Sequence, residues 1–337
     1  MAASTNNLTA QDILQAARRL NQAGYVYRTP LDYCEPVSNR IPIHLYHKLE
    51  LFQRTGSFKL RGATNKLLKL KETNPKAFER GFVTASAGNH ALGLSYAARE
   101  LKASATLVVP ETISSAKLEA LQRFPVEIVI VEGNYDLAES QARQLERERG
   151  LVFVSAYNDP EVAAGQGTLA METLADLPEA DILLVPVGGG GLLGGVALWA
   201  KNVSPRIKVI GVQSEASAAM YQSWQSGRLV EAPELPSLAD GLAGNIEAGA
   251  ITFELVQNYV DEIIVVSEQA IAQAIAFYAR ELHLIVEGSS AVGLAALLSD
   301  KLDYKKFGMS DRPKIVDFLT GRNISASRLQ QILMSHS

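Results

Sequence analysis

Apolar and polar positions along the chain alternate between helical and strand periods. Ile13, Ala16, Ala17 and Leu20 fall on one helix face, and Thr9 with Asp12 three positions on forms a capping-box pattern ahead of them. Residues 1–8 are a polar lead-in. Arg28-Thr29-Pro30 reads as extended chain, and Ile43 to Leu49 as a strand. Leu60, Ala63, Leu67 and Leu70 then repeat at helical spacing until Asn74-Pro75. Strands at Gly81–Ala85, Ala105–Val109, Val126–Val131 and Leu151–Val154 alternate with helices at Ala91–Leu101, Ser115–Arg123 and Tyr135–Glu148. Another helix follows Asn158-Asp159-Pro160 and contains Gly165-Gln166-Gly167-Thr168. The unbroken apolar run Asp181 to Val187 reads as a strand buried on both faces. Arg206–Val212, Glu262–Val266 and Ile315–Leu319 read as further strands. Helices are expected at Glu268–Leu282 and after Glu287. Glu231 to Gly249, with two prolines and three glycines, reads as a long loop around Ala239-Asp240-Gly241.

Strands that alternate with helices imply parallel sheets joined by crossover helices. The expected fold class is α/β, with two open, twisted, mostly parallel sheets and flanking helices. A chain of 337 residues is long for one core and splits into lobes. Residues 1–75 and 159–337 are expected to form a large domain, and residues 76–158 a small one.

Composition narrows the function classes. An apolar content of 47% with 20% charged residues is that of an ordinary globular protein. The net charge of −4 gives no electrostatic reason for nucleic-acid or acidic-membrane binding. No apolar run is long enough to span a bilayer, and the start lacks the basic-then-apolar pattern of a signal peptide. Cys34 is the only cysteine, so neither an intrachain disulfide nor a cysteine-built zinc site is possible. Cytoplasmic residence is expected.

Three stretches can carry chemistry. In Gln53-Arg54-Thr55-Gly56-Ser57-Phe58-Lys59-Leu60-Arg61-Gly62-Ala63, Ser57 is a candidate N-cap, which places Lys59 in the first helical turn. Partial positive charge there disfavours an ammonium, and a neutral lysine amine can form a Schiff base with an aldehyde. A lysine taken alone is a solvated surface residue; the glycine loops change that reading. Gly188-Gly189-Gly190-Gly191-Leu192 lies between an apolar strand and a helix, so its N–H groups can converge on an anion. No lysine follows, which argues against a nucleoside triphosphate. Gly189-x-Gly191-x-x-Gly194 matches the dinucleotide fingerprint, but the next strand ends at Gln213 where a ribose-binding acid is wanted; a phosphomonoester fits better. Ser86-Ala87-Gly88-Asn89-His90 is a second small-residue loop entering a helix and suits a carboxylate. Thr320 ends an apolar strand where parallel sheets bind ligands, and its hydroxyl can bond a pyridine nitrogen without protonating it.

Together these stretches resemble the fold-type II pyridoxal-phosphate enzymes, related in fold to the tryptophan synthase β chain. More narrowly they resemble the threonine/serine dehydratase (ammonia-lyase) and serine racemase branch. The matching residues are Ser57 to Ala63, Ser86 to His90, Gly165-Gln166-Gly167-Thr168, Gly188 to Leu192, Asp240-Gly241, Glu287 and Thr320-Gly321-x-Asn323. The resemblance spans about residues 10–325. It implies pyridoxal 5'-phosphate between the two lobes, bound to Lys59 as a Schiff base, with Lys59 the base that removes the substrate α-proton. It also implies Phe58 and Gly241 on the two faces of the ring, Asn89 on the ring hydroxyl, Gly188, Gly189, Gly190, Gly191 and Leu192 on the phosphate, and Glu287 and Thr320 beside the ring. Ser86, Ala87, Gly88, Asn89 and His90 would hold the substrate carboxylate. A homodimer or homotetramer is implied.

The departures matter. Thr320 stands where this branch usually has serine, so the hydroxyl survives and the pyridine is expected to stay unprotonated. Arg322 replaces a common glycine. Ala87 lacks the hydroxyl that racemases carry there. In Gln213 to Ala219, Gln213 and Ala219 replace two carboxylates of the racemases' divalent-metal loop, so no metal is expected, although Glu215 remains. The chain leaves no room for a C-terminal regulatory domain. The resemblance therefore implies an ammonia-lyase for L-threonine or L-serine. Alternatives are a racemase, a lyase for another β-hydroxy amino acid such as hydroxyaspartate, a nicotinamide-dependent oxidoreductase, and a non-catalytic amino-acid sensor.

Overall fold

A computed structural model describes residues 8–309 and 312–335; of the polar lead-in, residues 1–7 lie outside the described residues. The elements run α1 (Ala10–Ala23), β1 (Leu31–Tyr33), α2 (Glu35–Ser38), β2 (His44–Lys48), α3 (Lys59–Thr73), α4 (Pro75–Arg80), β3 (Phe82–Ala85) and α5 (Asn89–Leu101). They continue with β4 (Ala105–Pro110), α6 (Ser115–Gln122), β5 (Glu127–Val131), α7 (Tyr135–Arg149), β6 (Val152–Phe153), α8 (Pro160–Asp176), β7 (Ile182–Pro186) and α9 (Gly191–Val203). The last are β8 (Lys208–Ser214), α10 (Ala219–Ser226), α11 (Ile251–Tyr259), β9 (Glu262–Val266), α12 (Glu268–Glu281), α13 (Gly288–Leu298), β10 (Lys314–Phe318) and α14 (Ala326–Ser335). No helix among the described residues is long and apolar enough to cross a membrane.

The chain divides into two compact units. The smaller holds the residues up to Tyr27 and Gln53–Gln166; the larger holds Arg28–Phe52 and the residues from Gly167 on. The smaller unit is built on a parallel sheet of order β5-β4-β3-β6. Successive residues of a strand face opposite sides, so Leu107 and Val109 of β4 join a core with Leu67, Phe82 and Leu94, while Val108 joins Val83, Ala138, Ala142 and Leu145 on the other face. Helix α1 opens with the expected box, Asp12 N–H donating to Thr9 Oγ1 and Thr9 N–H to Asp12 Oδ2, and buries Ile13, Ala16, Ala17 and Leu20.

The larger unit has a sheet of order β1-β2-β10-β7-β8-β9. Only β1 is antiparallel to its neighbour. The C-terminal ends of β7, β8 and β10 therefore open on one edge, where parallel sheets bind ligands. Leu45, Ile182, Ile210, Ile271, Ile275, Val292 and Ile315 are among the residues that fill its core.

The division differs from the boundary expected from sequence. Residues 28–52 go to the larger unit because β1 and β2 pair into its sheet. Helices α1 and α3 stay with the smaller unit, because α3 packs along α5 and α1 along α3. The later boundary falls inside α8, between Gln166 and Gly167, rather than at 158–159.

Candidate active site

In the smaller unit the lysine motif and the Ser86–His90 loop are neighbours. Helix α3 begins at Lys59, with Phe58 as its N-cap in helical backbone conformation and no side chain capping it. The expected cap by Ser57 is not made: its hydroxyl is buried and has no hydrogen-bond partner. Phe58 already takes helical dihedrals, so the helix is entered one residue after Ser57 and the N-cap position falls to a side chain that cannot accept. The Lys59 amine donates to Ala156 O at 2.8 Å and lies 5.3 Å from the centre of the Phe58 ring. Helix α5 runs tightly against this start, since a Cβ on Gly93 would lie 3.1 Å from Leu60 N and 3.2 Å from Lys59 O.

Helix α5 itself begins two residues earlier than the expected Ala91, at Asn89, and no side chain caps it. A helix N-terminus entered from a small-residue loop is the kind of element that binds anions. Ser86 Oγ accepts the Gly88 N–H at 3.3 Å. His90 is buried and its Nε2 lies 3.1 Å from Val154 O. A carbonyl can only accept, so Nε2 carries the proton and Nδ1, which has no partner, is the bare nitrogen. Burial, and then the Lys59 charge, push the His90 pKa down to about 3. His90 is thus a neutral, anchored side chain at neutral pH.

In the larger unit the four glycines follow β7. Gly190 adopts φ +86°, and a Cβ there would lie 2.8 Å from Met220 Cε and 3.1 Å from Thr252 Cβ. Only glycine meets both conditions. Gly189 O accepts from Thr252 Oγ1 at 2.7 Å, which fixes the loop. No side chain caps α9, so its glycine-lined N-terminus is open to an anion. Glu287 N-caps α13, donates its N–H to Gly321 O at 3.1 Å, and accepts the Asn323 N–H on Oε2 at 3.0 Å. That ties the segment after β10 to the start of α13. Thr320 is buried, and its hydroxyl makes no hydrogen bond to the described residues. Gly241 sits in a 3-10 turn, Asp240–Leu242, beside Ser289. Arg322 is exposed, its guanidinium carbon 5.8 Å from the centre of the Phe52 ring. Gln213 Oε1 accepts the Tyr221 N–H at 3.0 Å, and Glu215 is exposed.

The smaller unit thus gathers Phe58, Lys59 and Ser86 to His90, and the larger unit gathers Gly188 to Leu192, Gly241, Glu287 and Thr320. Sequence reasoning missed Ala156, which acts through a carbonyl that every residue type possesses, and Thr252, which lies in a helix that carried no motif. Gly165, matched in sequence, serves packing: a Cβ there would fall 2.7 Å from Gly62 Cα.

The smaller unit offers an amine at a helix start, and the larger unit offers a glycine-lined helix N-terminus and a buried hydroxyl; each is a group that an aldehyde-bearing pyridine phosphate needs. The family described as "Pyridoxal-phosphate dependent enzyme" matches residues 23–311. The chain belongs to that family. Among curated relatives of this pyridoxal-phosphate enzyme, the L-threonine ammonia-lyase of Thermotoga maritima is 41% identical, over 97% of this chain and 78% of the relative. The catabolic L-threonine dehydratase TdcB of Escherichia coli is 37% identical over 95% of this chain and 94% of its own. Among solved structures, maize serine racemase superposes with a TM-score of 0.89 at 32% identity, covering 97% of both chains. The processed threonine deaminase isoform 2 of Solanum lycopersicum superposes with a TM-score of 0.86 at 30% identity, covering 96% of this chain and 93% of that one. The fold is fold-type II, and the cofactor is pyridoxal 5'-phosphate. The dinucleotide reading of Gly189-x-Gly191-x-x-Gly194 gives way to this one.

Proposed function

We propose that this enzyme is an ammonia-lyase that dehydrates L-threonine to 2-oxobutanoate and L-serine to pyruvate, each with release of ammonia. The observation that carries the reading is that position 87, where racemases carry a serine hydroxyl, is alanine, and that the neighbouring His90 is a neutral, anchored ring. Ala87 has no hydroxyl, and His90 is neutral with its Nε2 proton given to Val154 O. The absence of the hydroxyl at position 87 favours elimination over inversion at the α-carbon, with Lys59 as the base.

In this reading Lys59 carries the cofactor through its amine and then takes the substrate α-proton. The N-terminus of α5, with Ser86, Ala87, Gly88, Asn89 and His90, holds the substrate carboxylate. Asn89 also reaches the ring hydroxyl, and Phe58 and Gly241 flank the ring. Gly188 to Leu192 hold the phosphate dianion by backbone N–H groups. The Thr320 hydroxyl donates to the pyridine nitrogen and leaves it uncharged; Glu287 fixes the segment that follows Thr320. The cofactor supplies the electron sink that acidifies the α-hydrogen. The β-hydroxyl departs as water, its added proton balancing the one that Lys59 takes from the α-carbon, and hydrolysis of the released enamine by one water gives oxo acid and ammonia.

The test is turnover of L-threonine and L-serine by purified protein supplemented with pyridoxal phosphate, with Lys59→Ala alongside. Oxo acid from wild type and none from the variant supports the assignment. No oxo acid from protein that shows the visible band of lysine-bound cofactor rejects it. The likeness to maize serine racemase favours a second reading, racemisation, and chiral analysis of residual substrate in the same assay decides between them. Cytoplasmic residence and a homodimer or homotetramer go with the proposal, and light scattering on purified protein tests the assembly.

A further inference from the structure

The coil that carries Gly241 is gripped by the N-termini of two helices. On one side stands Glu268, the first residue of α12. Its carboxylate turns back from the helix and accepts three short hydrogen bonds, from Ser214 Oγ at 2.5 Å, Ser237 Oγ at 2.6 Å and the Leu238 N–H at 2.6 Å. Ser237 Oγ in turn accepts the Ala239 N–H at 2.9 Å. On the other side lies the first turn of α13. A Cβ on Gly288 would fall 2.0 Å from Leu238 O, and one on Gly241 would fall 2.8 Å from Ser289 Oγ. The coil also meets the glycine loop, since a Cβ on Gly188 would lie 2.9 Å from the Leu242 backbone.

Hydrogen bonds to an ionised acceptor are short and about twice as strong as neutral ones, and a carboxylate at a helix N-terminus is further favoured by the helix dipole. Between the end of α10 and the start of α11 the only regular structure is the 3-10 turn at Asp240–Leu242. Arg328 Nη2 also donates to Ser237 O at 2.9 Å, Gly244 N–H donates to Ser217 Oγ at 3.1 Å, and Ala239 and Leu242 are buried in the core. Among these holds, the Glu268 carboxylate is the one side chain that binds both Ser237 and the Leu238 backbone. We propose that Glu268 is a positioning residue: its carboxylate latches Ser237 to Ala239 and so holds Gly241 against the cofactor. The inference rests on the role proposed above for Gly241. Glu268 itself touches no reacting atom.

The experiment compares Glu268→Gln, Ser237→Ala and Ser214→Ala in the full-length protein. The glutamine keeps the shape of the side chain but has one acceptor oxygen in place of two, so its NH2 group must face either the Leu238 N–H or the two serine hydroxyls and cannot accept there. Ser237→Ala removes a bond that comes from the coil. Ser214→Ala removes one that comes from β8, together with a longer 3.3 Å approach of Ser237 Oγ to Ser214 Oγ, and leaves the bonds from Ser237 and Leu238 to Glu268 in place. The readouts are the pyridoxal phosphate dissociation constant, amide hydrogen exchange across residues 235–243, and kcat and KM for L-threonine. Glu268→Gln is expected to weaken cofactor binding about tenfold or more, to speed exchange at Leu238 and Ala239, and to lower kcat more than it raises KM. Ser237→Ala moves the same readouts less, and carries the test if the glutamine variant does not fold. Ser214→Ala leaves cofactor affinity and coil exchange within about twofold of wild type.

A folded Glu268→Gln with wild-type cofactor affinity and exchange overturns the latch. So does a Ser214→Ala that matches Ser237→Ala, since the carboxylate would then only stabilise the start of α12. Wild-type protein that binds no pyridoxal phosphate overturns the functional reading itself, and the exchange data separate that failure from a failure of the latch.

Discussion

The Tyr278 hydroxyl donates a hydrogen bond to Asp317 Oδ2 across 3.0 Å, and both side chains are fully buried in the larger unit. His47 Nε2 approaches the same phenol oxygen at 3.3 Å, and Cys34 is the other titratable group that acts on the cluster. Asp317 Oδ1 has no partner, and α13 presses on it so closely that a Cβ on Gly293 would lie 1.9 Å away. Burial pushes the Asp317 pKa from 3.8 up to about 7. Between about pH 4 and 7 the folded chain therefore keeps a proton that the unfolded chain has shed, and this group's contribution to stability falls as pH rises through that window. Asp317→Asn cannot ionise. Relative to wild type it should gain on the order of 2–4 kcal/mol of stability between pH 5 and pH 8, read from urea unfolding at both values.

His47 and His90 work in the opposite direction. Burial pushes each imidazole from 6.5 down to about 3. Below about pH 6.5 the unfolded chain takes up two protons that the folded chain refuses, so stability falls with acidification. Imidazole nitrogen NMR should show both rings neutral and non-titrating from pH 8 to pH 5. Titration of either near 6.5 would contradict its burial.

Gly190→Ala should damage cofactor binding more than fold. The left-handed backbone costs an alanine about 1 kcal/mol, and its Cβ would meet Met220 and Thr252. Pyridoxal phosphate affinity, measured by dialysis, is expected to drop about tenfold or more, with far-ultraviolet circular dichroism unchanged.

Lys48 is fully buried, and its amine donates to Glu172 Oε2 at 2.8 Å and Thr29 O at 2.7 Å. Lys48→Met removes that ammonium and should cost about 3–5 kcal/mol. The double variant Lys48→Met, Glu172→Leu tests how much of the loss comes from the pair itself, and part of the loss should be recovered when both charges are removed together. Chemical denaturation of the two singles and the double completes the cycle.

The parallel sheets were legible because their strands carry continuous apolar runs bounded by glycine and proline. Glu262–Val266 forms β9 with the boundaries expected for it. Short elements without such runs were not legible. Strand β1 has three residues, two of them exposed, so no pattern distinguishes it from loop. At Asn74-Pro75 the expected helix end is also a beginning, since the Asn74 side chain accepts from Ala77 N and starts α4 with proline in its first turn.

Within the candidate site, the glycines and Lys59 announced themselves through residue type and spacing. The groups that fix them did not. Ala156 acts through its carbonyl, and Glu268 lies far along the chain from the coil it holds. Away from the site, Asp317 sits in a strand that otherwise reads as apolar, so its burial beside Tyr278 and His47 was not legible either.

Strand β2 lies between β1 and β10, and its register pairs His44 with Lys314. Two neighbours in the middle of one sheet are thus drawn from nearly opposite ends of the chain. On the ribosome β2 emerges early and must wait, with one hydrogen-bonding edge open, until almost everything else has been translated. A product cut short before residue 314 would leave β1 and β2 unjoined to β7, β8 and β9. Such a fragment carries an unpaired strand edge of the kind that recruits other chains, so premature termination here should yield aggregates rather than a smaller working protein.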